Sequence, residues 1–216
     1  GMRGLLRKEL SGLWSLYRKT LPMLAILYAV LNLATKNDFF LYFGVWMMLF
    51  YSLSGMSLDE SCGWGRYART LPVNDWQVVG AKFLVSLIYS GGAALYGAVL
   101  GVIQRLFTGE TGYADLIGGL LAVLVVSMIM VFAMYPVAFR FGLEKARNGF
   151  LVVWVALFGG FMLFGSRLAK VLPLEAVVES MAARPLLWAG GALLTAVAVM
   201  VLCYIASVLI YQKKEF

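Results

Sequence analysis

The chain of 216 residues contains no histidine and only two cysteines, and charged residues make up 13% of it. Without histidine, neither a Ser-His-Asp triad nor a histidine metal site can form. Cys62 lies in a polar segment and Cys203 in a long apolar run, so we expect no disulfide between them. The adjacent acids Asp59 and Glu60 lack further clustered ligands, and we therefore predict no metal site.

The sequence also lacks the usual features of a protein that supplies its own energy. It contains no G-x-x-x-x-G-K-[ST] motif, so it is not expected to bind ATP through a P-loop. A proton- or sodium-coupled carrier usually needs an acid or an unwound polar site inside the membrane. The apolar runs offer only a few neutral polar side chains, such as Asn32 and Gln104. If the chain takes part in transport, the energy must come from elsewhere.

What the sequence has in abundance is apolar residues, at 62%, with a mean hydropathy of +0.86. This composition predicts an all-α integral membrane protein, because a helix needs about 20 apolar residues to cross the hydrocarbon. Six runs without charge are long enough or nearly so, and the first is short and contains Pro22 and Asn32. The predicted six transmembrane helices occupy residues 20–35, 39–58, 83–104, 116–139, 148–166 and 185–212. Residues 1–216 are interpreted as one transmembrane domain.

The basic residues fall mainly on one side of the predicted membrane. Thirteen of the 18 lysines and arginines lie on the side that carries both termini and residues 59–75, and five lie on the other. By the positive-inside rule, both termini and residues 59–75 are predicted to be cytoplasmic. The net charge of +7 is attributed to anionic lipid headgroups, since no nucleic-acid-binding motif is present.

Two amphipathic segments flank the predicted spans. In residues 2–18, leucines and aromatic residues recur every three to four positions and basic residues occupy other faces, which predicts an interfacial helix. In residues 167–184, Leu174, Val177, Val178 and Met181 share one face, which predicts an outer amphipathic helix between spans 5 and 6. Pro173 suits the start of that helix.

Residues 59–75 form a polar segment between two strongly apolar runs. Its charged groups and its Gly/Pro backbone exclude it from lipid. An ordinary solvated loop is one interpretation. The segment also carries Trp64, Tyr67, Leu71 and Val73, and apolar groups rimmed by charge favour a surface that binds a soluble partner.

The helix of the third predicted span is expected to begin at Asn74 or Asp75, which suit its N-cap. The span itself contains small residues at every fourth position, Ala93, Gly97 and Gly101. Such spacing lets membrane helices approach closely. Because glycine is common in membrane helices, packing within one subunit is favoured over a dedicated dimer interface.

A family resemblance rests on two motifs. Residues 59–60, 63–67 and 70–73, with Val79 and Lys82-Phe83 after them, resemble the signature loop of small six-helix permeases of bacterial type-2 ABC transporters. Pro136 and residues 139–147 resemble the second loop of the same group. The chain departs from the pattern at Cys62, at Asn74-Asp75 where Ser-Arg is frequent, and at Ala146 where glycine is common.

The resemblance implies a permease subunit of an ATP-driven exporter in a bacterial cell membrane, without enzymatic activity of its own. It implies a cytoplasmic coupling helix between spans 2 and 3 that docks on a separate ABC ATPase, and ATP and Mg on that ATPase only. The residues implied in ATPase coupling are Asp59, Glu60, Trp64, Arg66, Tyr67, Thr70, Leu71 and Pro72. The second cytoplasmic loop is implied to comprise Arg140, Phe141, Gly142, Glu144, Lys145 and Arg147. A second permease chain, identical or paralogous, is implied as a partner.

Other classes remain open from the residues alone. An immunity or scaffold protein of the membrane and a secondary carrier are alternatives, and an intramembrane enzyme ranks below both because Ser127, Cys203 and Glu144 have no visible catalytic partners. The sequence does not identify a transported substrate, since an amphipathic peptide, an antibiotic and a lipid all suit an apolar pathway.

Overall fold

The structure is a computed structural model that describes residues 1–171 and 174–214, without the side chains of residues 166, 168–171 and 174. Ten α-helices account for most of these residues. In chain order they are α1 (Met2–Tyr17), α2 (Thr20–Thr35), α3 (Phe39–Tyr51), α4 (Ser54–Cys62), α5 (Trp64–Ala68), α6 (Asp75–Thr108), α7 (Tyr113–Phe141), α8 (Leu143–Val171), α9 (Leu174–Ala183) and α10 (Pro185–Lys213). The all-helical fold follows from apolar runs that must satisfy their backbone hydrogen bonds internally.

Five helical segments in the described chain are long and apolar enough to cross a membrane. They are Phe39–Cys62, Asp75–Thr108, Tyr113–Phe141, Leu143–Gly165 and Pro185–Lys213. The predicted first span, α2, has 16 residues and a length of about 24 Å, below the ~30 Å of a hydrocarbon core. The structure therefore supports a multi-pass helical protein with five spans. The additional span predicted at residues 20–35 stays a prediction.

The second predicted span is not one regular helix. A turn at Ser52 and Leu53 separates α3 from α4, and the Ser52 hydroxyl donates to the carbonyl of Leu49 at 2.7 Å. After this turn, α4 extends through Asp59 and Glu60. The polar segment therefore begins inside a helix rather than in a loop.

The centre of the bundle is the packing of α6 and α7 with α3 and α10. Gly97 lies at a close approach, since a Cβ there would be 2.5 Å from Cδ2 of Leu120 on α7 and 2.8 Å from Cγ2 of Val45 on α3. A Cβ at Gly101 would collide with Leu116, and Ala93 is fully buried. The stripe of small residues thus faces neighbouring helices of the same chain.

Helix α1 lies against the bundle. Leu5, Glu9 and Leu13 form its buried face, which packs on α4 and α6, whereas Trp14 is 67% exposed. Its predicted apolar face is therefore covered in large part by protein.

The predicted outer segment contains the tail of α8 and the helix α9. Val178 and Met181 of α9 are exposed, and Pro173 lies outside the described residues. The position of this segment at the membrane surface stays a prediction.

A cluster of aromatic rings ties α6, α7 and α10 together where α4 ends. Phe83 stacks on Phe132 and Tyr135 with ring centroids 5.4 and 4.7 Å apart, and Phe139 meets Tyr211 at 5.7 Å. We call this side of the bundle, where α4 and α7 end and α6 and α8 begin, the Asp59 end. The side where α2 ends and α7 begins is called the Arg105 end.

Candidate functional site

The polar segment folds back on itself in two steps. Helix α4 ends at Cys62, and Gly63 adopts a positive φ of 65°, a conformation that a residue without Cβ adopts readily. The short helix α5 follows, and turns around Thr70 lead to Asn74, the extended N-cap of α6. The prediction that the third long helix starts at Asn74 or Asp75 is confirmed.

Four charged side chains meet beneath this segment. The Lys82 ammonium lies 2.5 Å from Oδ2 of Asp59 and 3.0 Å from Oε1 of Glu9. Lys8 pairs with the same Glu9 oxygen at 3.0 Å and with Oδ1 of Asp59. Two positive and two negative charges therefore balance in one cluster, which we call the ionic cluster. It joins α1, α4 and α6.

Burial makes this cluster sensitive to the loss of any member. Lys82, Glu9 and Asp59 are 5%, 6% and 11% exposed. Burial by itself would raise the pKa of Glu9, but the charges of Lys82 and Lys8 and their hydrogen bonds outweigh it and hold that pKa below its usual 4.5. Glu9 is thus a carboxylate at neutral pH, as the two lysines require.

A chain of hydroxyl groups extends the cluster into the bundle. The hydroxyls of Ser52 and Ser86 are 3.0 Å apart, and those of Ser86 and Tyr135 are 2.6 Å apart. Tyr135 also donates to the backbone carbonyl of Lys82 at 3.2 Å. Since each hydroxyl is buried and bonded, the turn between α3 and α4 is held against α6 and α7 next to the ionic cluster.

Two further residues of the polar segment bind other helices. Oε1 of Glu60 accepts the backbone N–H of Leu143 at 2.9 Å, which caps the first turn of α8. Nη2 of Arg69 donates to the carbonyls of Tyr211 and Lys214 at 3.0 and 3.1 Å, at the end of α10. Arg69 therefore fastens the polar segment to the end of α10.

The predicted coupling residues divide into inward and outward groups. Trp64 is half-buried, and the Lys8 ammonium lies 4.1 Å from its ring centroid, in cation–π geometry. Leu71 is half-buried, whereas Arg66, Thr70 and Pro72 are exposed. Tyr67 is 57% exposed beside Trp64, with their rings 5.4 Å apart. The outward surface is therefore narrower than the sequence suggested and centres on Arg66 and Tyr67.

A cavity of about 440 Å³ lies beneath this outward surface. Its wall combines Trp64 and Phe139 with the charged groups of Asp59, Glu60 and Lys82. The cavity thus connects the polar segment to the ionic cluster and to the end of α7.

The second predicted loop is reduced to a single break between α7 and α8. Gly142 has a φ of 91°, a region that favours glycine, and it separates the two helices. Arg140 lies over the Phe141 ring at 5.2 Å, and Arg147 donates to the Ser54 hydroxyl at 3.4 Å. Glu144 and Lys145 are exposed in the first turn of α8. The structure brings this break next to the polar segment through Glu60.

Sequence reasoning missed Lys8, Glu9, Tyr135 and the charge role of Lys82. A signal for Glu9 was present, since it shares the i, i+4 face of Leu5 and Leu13, where an acid needs a buried partner. Nothing in the sequence identified that partner, because Lys82 is 73 residues away.

Comparison with known proteins finds a family model described as "ABC-2 family transporter protein", which matches residues 4–212. No curated protein and no solved structure matches the chain. The match extends over nearly the whole chain, from α1 to the end of α10, and agrees with the apolar helices described above. The chain is therefore a membrane transport protein of the ABC-2 transporter family.

Proposed function

We propose that this chain is the permease subunit of an ATP-driven exporter and that residues 59–72 dock on a separate cytoplasmic ATPase. The observation that carries the proposal is the attachment of one short polar segment to four helices. Asp59 binds α1 and α6 through Lys8 and Lys82, Glu60 binds the start of α8, and Arg69 binds the end of α10.

These attachments give a mechanical reason for docking at this segment. A displacement of residues 59–69 by a partner would act on α1, α6, α8 and α10 together, because the contacts are short and each involves a charged side chain of this segment. Arg66 and Tyr67 point outward and are available for the partner. An exposed tyrosine beside an arginine is typical of the residues that dominate binding energy in protein interfaces.

The proposed orientation places the Asp59 end and both termini in the cytoplasm of a bacterial cell membrane. It is supported by the bias of thirteen basic residues against five. Single cysteines at Asn37 and Gly112 should react with an impermeant reagent on intact cells, while Cys62 should be protected. Labelling of Cys62 with protection of the other two would reverse the orientation.

We further propose that ATP and Mg bind only to the partner ATPase and that two permease chains, identical or paralogous, form the pathway. The absence of a P-loop supports the first part. The family resemblance implies the second. The purified chain alone should hydrolyse no ATP above background, and the transporter complex should have the mass of two permeases and two ATPases.

The docking experiment compares two exposed tyrosines at opposite ends of the bundle. Tyr67→Ala should weaken binding of the cognate ATPase by about 1 to 4 kcal/mol, measured by co-purification, since an aromatic anchor is lost from the proposed interface. Tyr113→Ala removes a tyrosine that is 40% exposed at the Arg105 end and should have no effect.

Tyr67 is a better probe than Trp64. The Trp64 ring is half-buried and covers Lys8, so its truncation would disturb the chain itself. If Tyr67→Ala and Arg66→Ala both retain the ATPase as well as the parent chain does, the polar segment is not the docking site.

A further inference from the structure

The exposed face of α1 is unusual in its charge. Residues 1–37 contain six basic residues and a single acid, Glu9. That acid is 6% exposed and is held by Lys8 and Lys82. The outward side of α1 therefore carries positive charge alone. In the part of the chain that the structure describes, Arg7 and Arg18 form no ion pair with a carboxylate.

A groove of about 480 Å³ runs between this face and α6. It is lined by Leu10, Ser11 and Trp14 of α1 and by Tyr89 of α6. Arg7 lies one helical turn before Ser11, and Arg18 one turn after Trp14, so both arginines share the face that borders the groove. The groove thus combines two hydroxyl groups, an indole ring and flanking guanidinium groups.

Its level in the bundle matches a membrane–water boundary. Tyr17 donates to the Ser54 hydroxyl at 2.6 Å, and its ring lies 4.6 Å from that of Tyr51. Together with Trp14 and Tyr89, these rings form a belt of amphipathic aromatic side chains, which is typical of the headgroup region. Directly beyond Arg18, the apolar helix α2 begins at Thr20.

The surface of α6 continues from the groove as an apolar track. Ile88 and Leu95 are 50% and 67% exposed, and a Cβ at Gly92 between them would meet nothing within 4 Å. These three residues follow an i, i+4, i+7 pattern and so form one face. An extended hydrocarbon chain can lie along it.

We propose that this groove is a binding site for an anionic phospholipid. Arg7 and Arg18 attract the phosphate, and the hydroxyls of Ser11 and Tyr89 are available to donate to its oxygens. Trp14 borders the glycerol region, and the acyl chains follow the track on α6. This proposal concerns a lipid held at a defined site and is independent of the proposed docking of an ATPase.

The test uses the full-length chain in detergent, mixed with phosphatidylglycerol and phosphatidylcholine of the same acyl chains in equal amounts. Retained lipids are counted by native mass spectrometry. The parent chain should retain phosphatidylglycerol preferentially. The double variant Arg7→Gln/Arg18→Gln should reduce this preference about 25-fold, because each of the two cations near the headgroup contributes about a fivefold factor.

A control variant with the same net charge as Arg7→Gln/Arg18→Gln distinguishes a defined binding site from general attraction of anionic lipid to a basic protein. Lys36→Gln/Arg184→Gln removes two exposed cations at the Arg105 end and should keep the preference. Tyr89→Phe removes one hydroxyl and keeps the shape of the groove. It should reduce the preference for phosphatidylglycerol, but by a smaller factor than the double arginine variant does. The thermal unfolding midpoint of each variant verifies that it is folded.

Three outcomes would overturn the proposal. The first is an unchanged preference in Arg7→Gln/Arg18→Gln. The second is an equal loss in the control pair, which would show attraction by net charge only. The third is displacement of the lipid by millimolar inorganic phosphate, which would show a site for free phosphate instead of a lipid.

Discussion

Helix α6 carries a buried cation near each of its ends, and the two are held very differently. Lys82 has two carboxylates at 2.5 and 3.0 Å. Arg105 is 4% exposed, yet its nearest carboxylate oxygen, on Asp38, is 3.6 Å away, and its Nε donates to the carbonyl of Gly112. The same helix is therefore tightly fastened at the Asp59 end and loosely fastened at the Arg105 end.

The surrounding polar groups show the same contrast. At the Arg105 end, Oδ1 of Asn32, Oε1 of Gln104 and Nη1 of Arg105 are buried without a hydrogen-bond partner among the described residues. At the Asp59 end, Nε1 of Trp64 is also buried without a hydrogen-bond partner among the described residues, but the charged groups of Glu9, Asp59 and Lys82 all bond to one another or to Lys8. Since an unpaired buried polar group is costly, we expect local opening to require less free energy at the Arg105 end.

The largest expected effect comes from removing each cation in turn. Lys82→Met leaves Asp59 and Glu9 with Lys8 alone and should lower the free energy of unfolding by about 3 to 5 kcal/mol. Arg105→Met leaves only Asp38, which is 34% exposed, and should cost about 1 kcal/mol or less. Unfolding in mixed detergent micelles would measure both. Equal losses would contradict the contrast between the two ends.

A smaller effect is expected where Glu60 caps α8. Glu60→Ala removes the acceptor of the Leu143 N–H and should cost about 1 to 2 kcal/mol, concentrated in the first turn of α8. Hydrogen exchange should therefore accelerate at the start of α8. Glu110→Ala, an exposed acid between α6 and α7, is the matched control and should leave exchange there unchanged. A slow, unchanged start of α8 in Glu60→Ala would show that the cap is dispensable.

The smallest effect is a dependence of stability on pH. Because the pKa of Glu9 is lowered by folding, its contribution is fully present above its usual value of 4.5 and is lost as the pH falls through the lower folded value. The slope from this one group cannot exceed about 1.4 kcal/mol per pH unit, the limit for the uptake of one proton. Thermal unfolding of the parent chain and of Glu9→Gln between about pH 6 and pH 3.5 measures it. The variant should be less stable at pH 6, and the difference should shrink on acidification. Parallel curves for the two proteins would refute the role of Glu9.

Much of the architecture was predictable from local sequence. Of the six spans proposed from the charge-free runs, five correspond to helices that are long and apolar enough to cross a membrane. These five were predictable because length and apolarity alone decide whether a helix can cross lipid. The start of α6 at Asp75 was predictable from its N-cap. The same argument does not establish a span at residues 20–35, because a helix of 16 residues is shorter than the hydrocarbon core.

The candidate site was only partly predictable. The polar segment was found because its charged side chains cannot lie in lipid, and the family resemblance implied that eight of its residues, Asp59 and Glu60 among them, couple to an ATPase. The structure instead uses Asp59, Glu60 and Arg69 within the chain. Local patterns could not show this, since the partners of these three residues lie between 23 and 145 positions away in sequence.

The sequence by itself determined that this protein is helical, lies in a membrane and exposes a polar segment, because each of these follows from solvation of single segments. Only the tertiary structure decided which charges are buried together. Glu9, Asp59 and Lys82 belong to three different helices, and each could be tolerated out of water only once the other two were in place. Such pairing is a property of packing, and it is what links the polar segment to the helices that span the membrane.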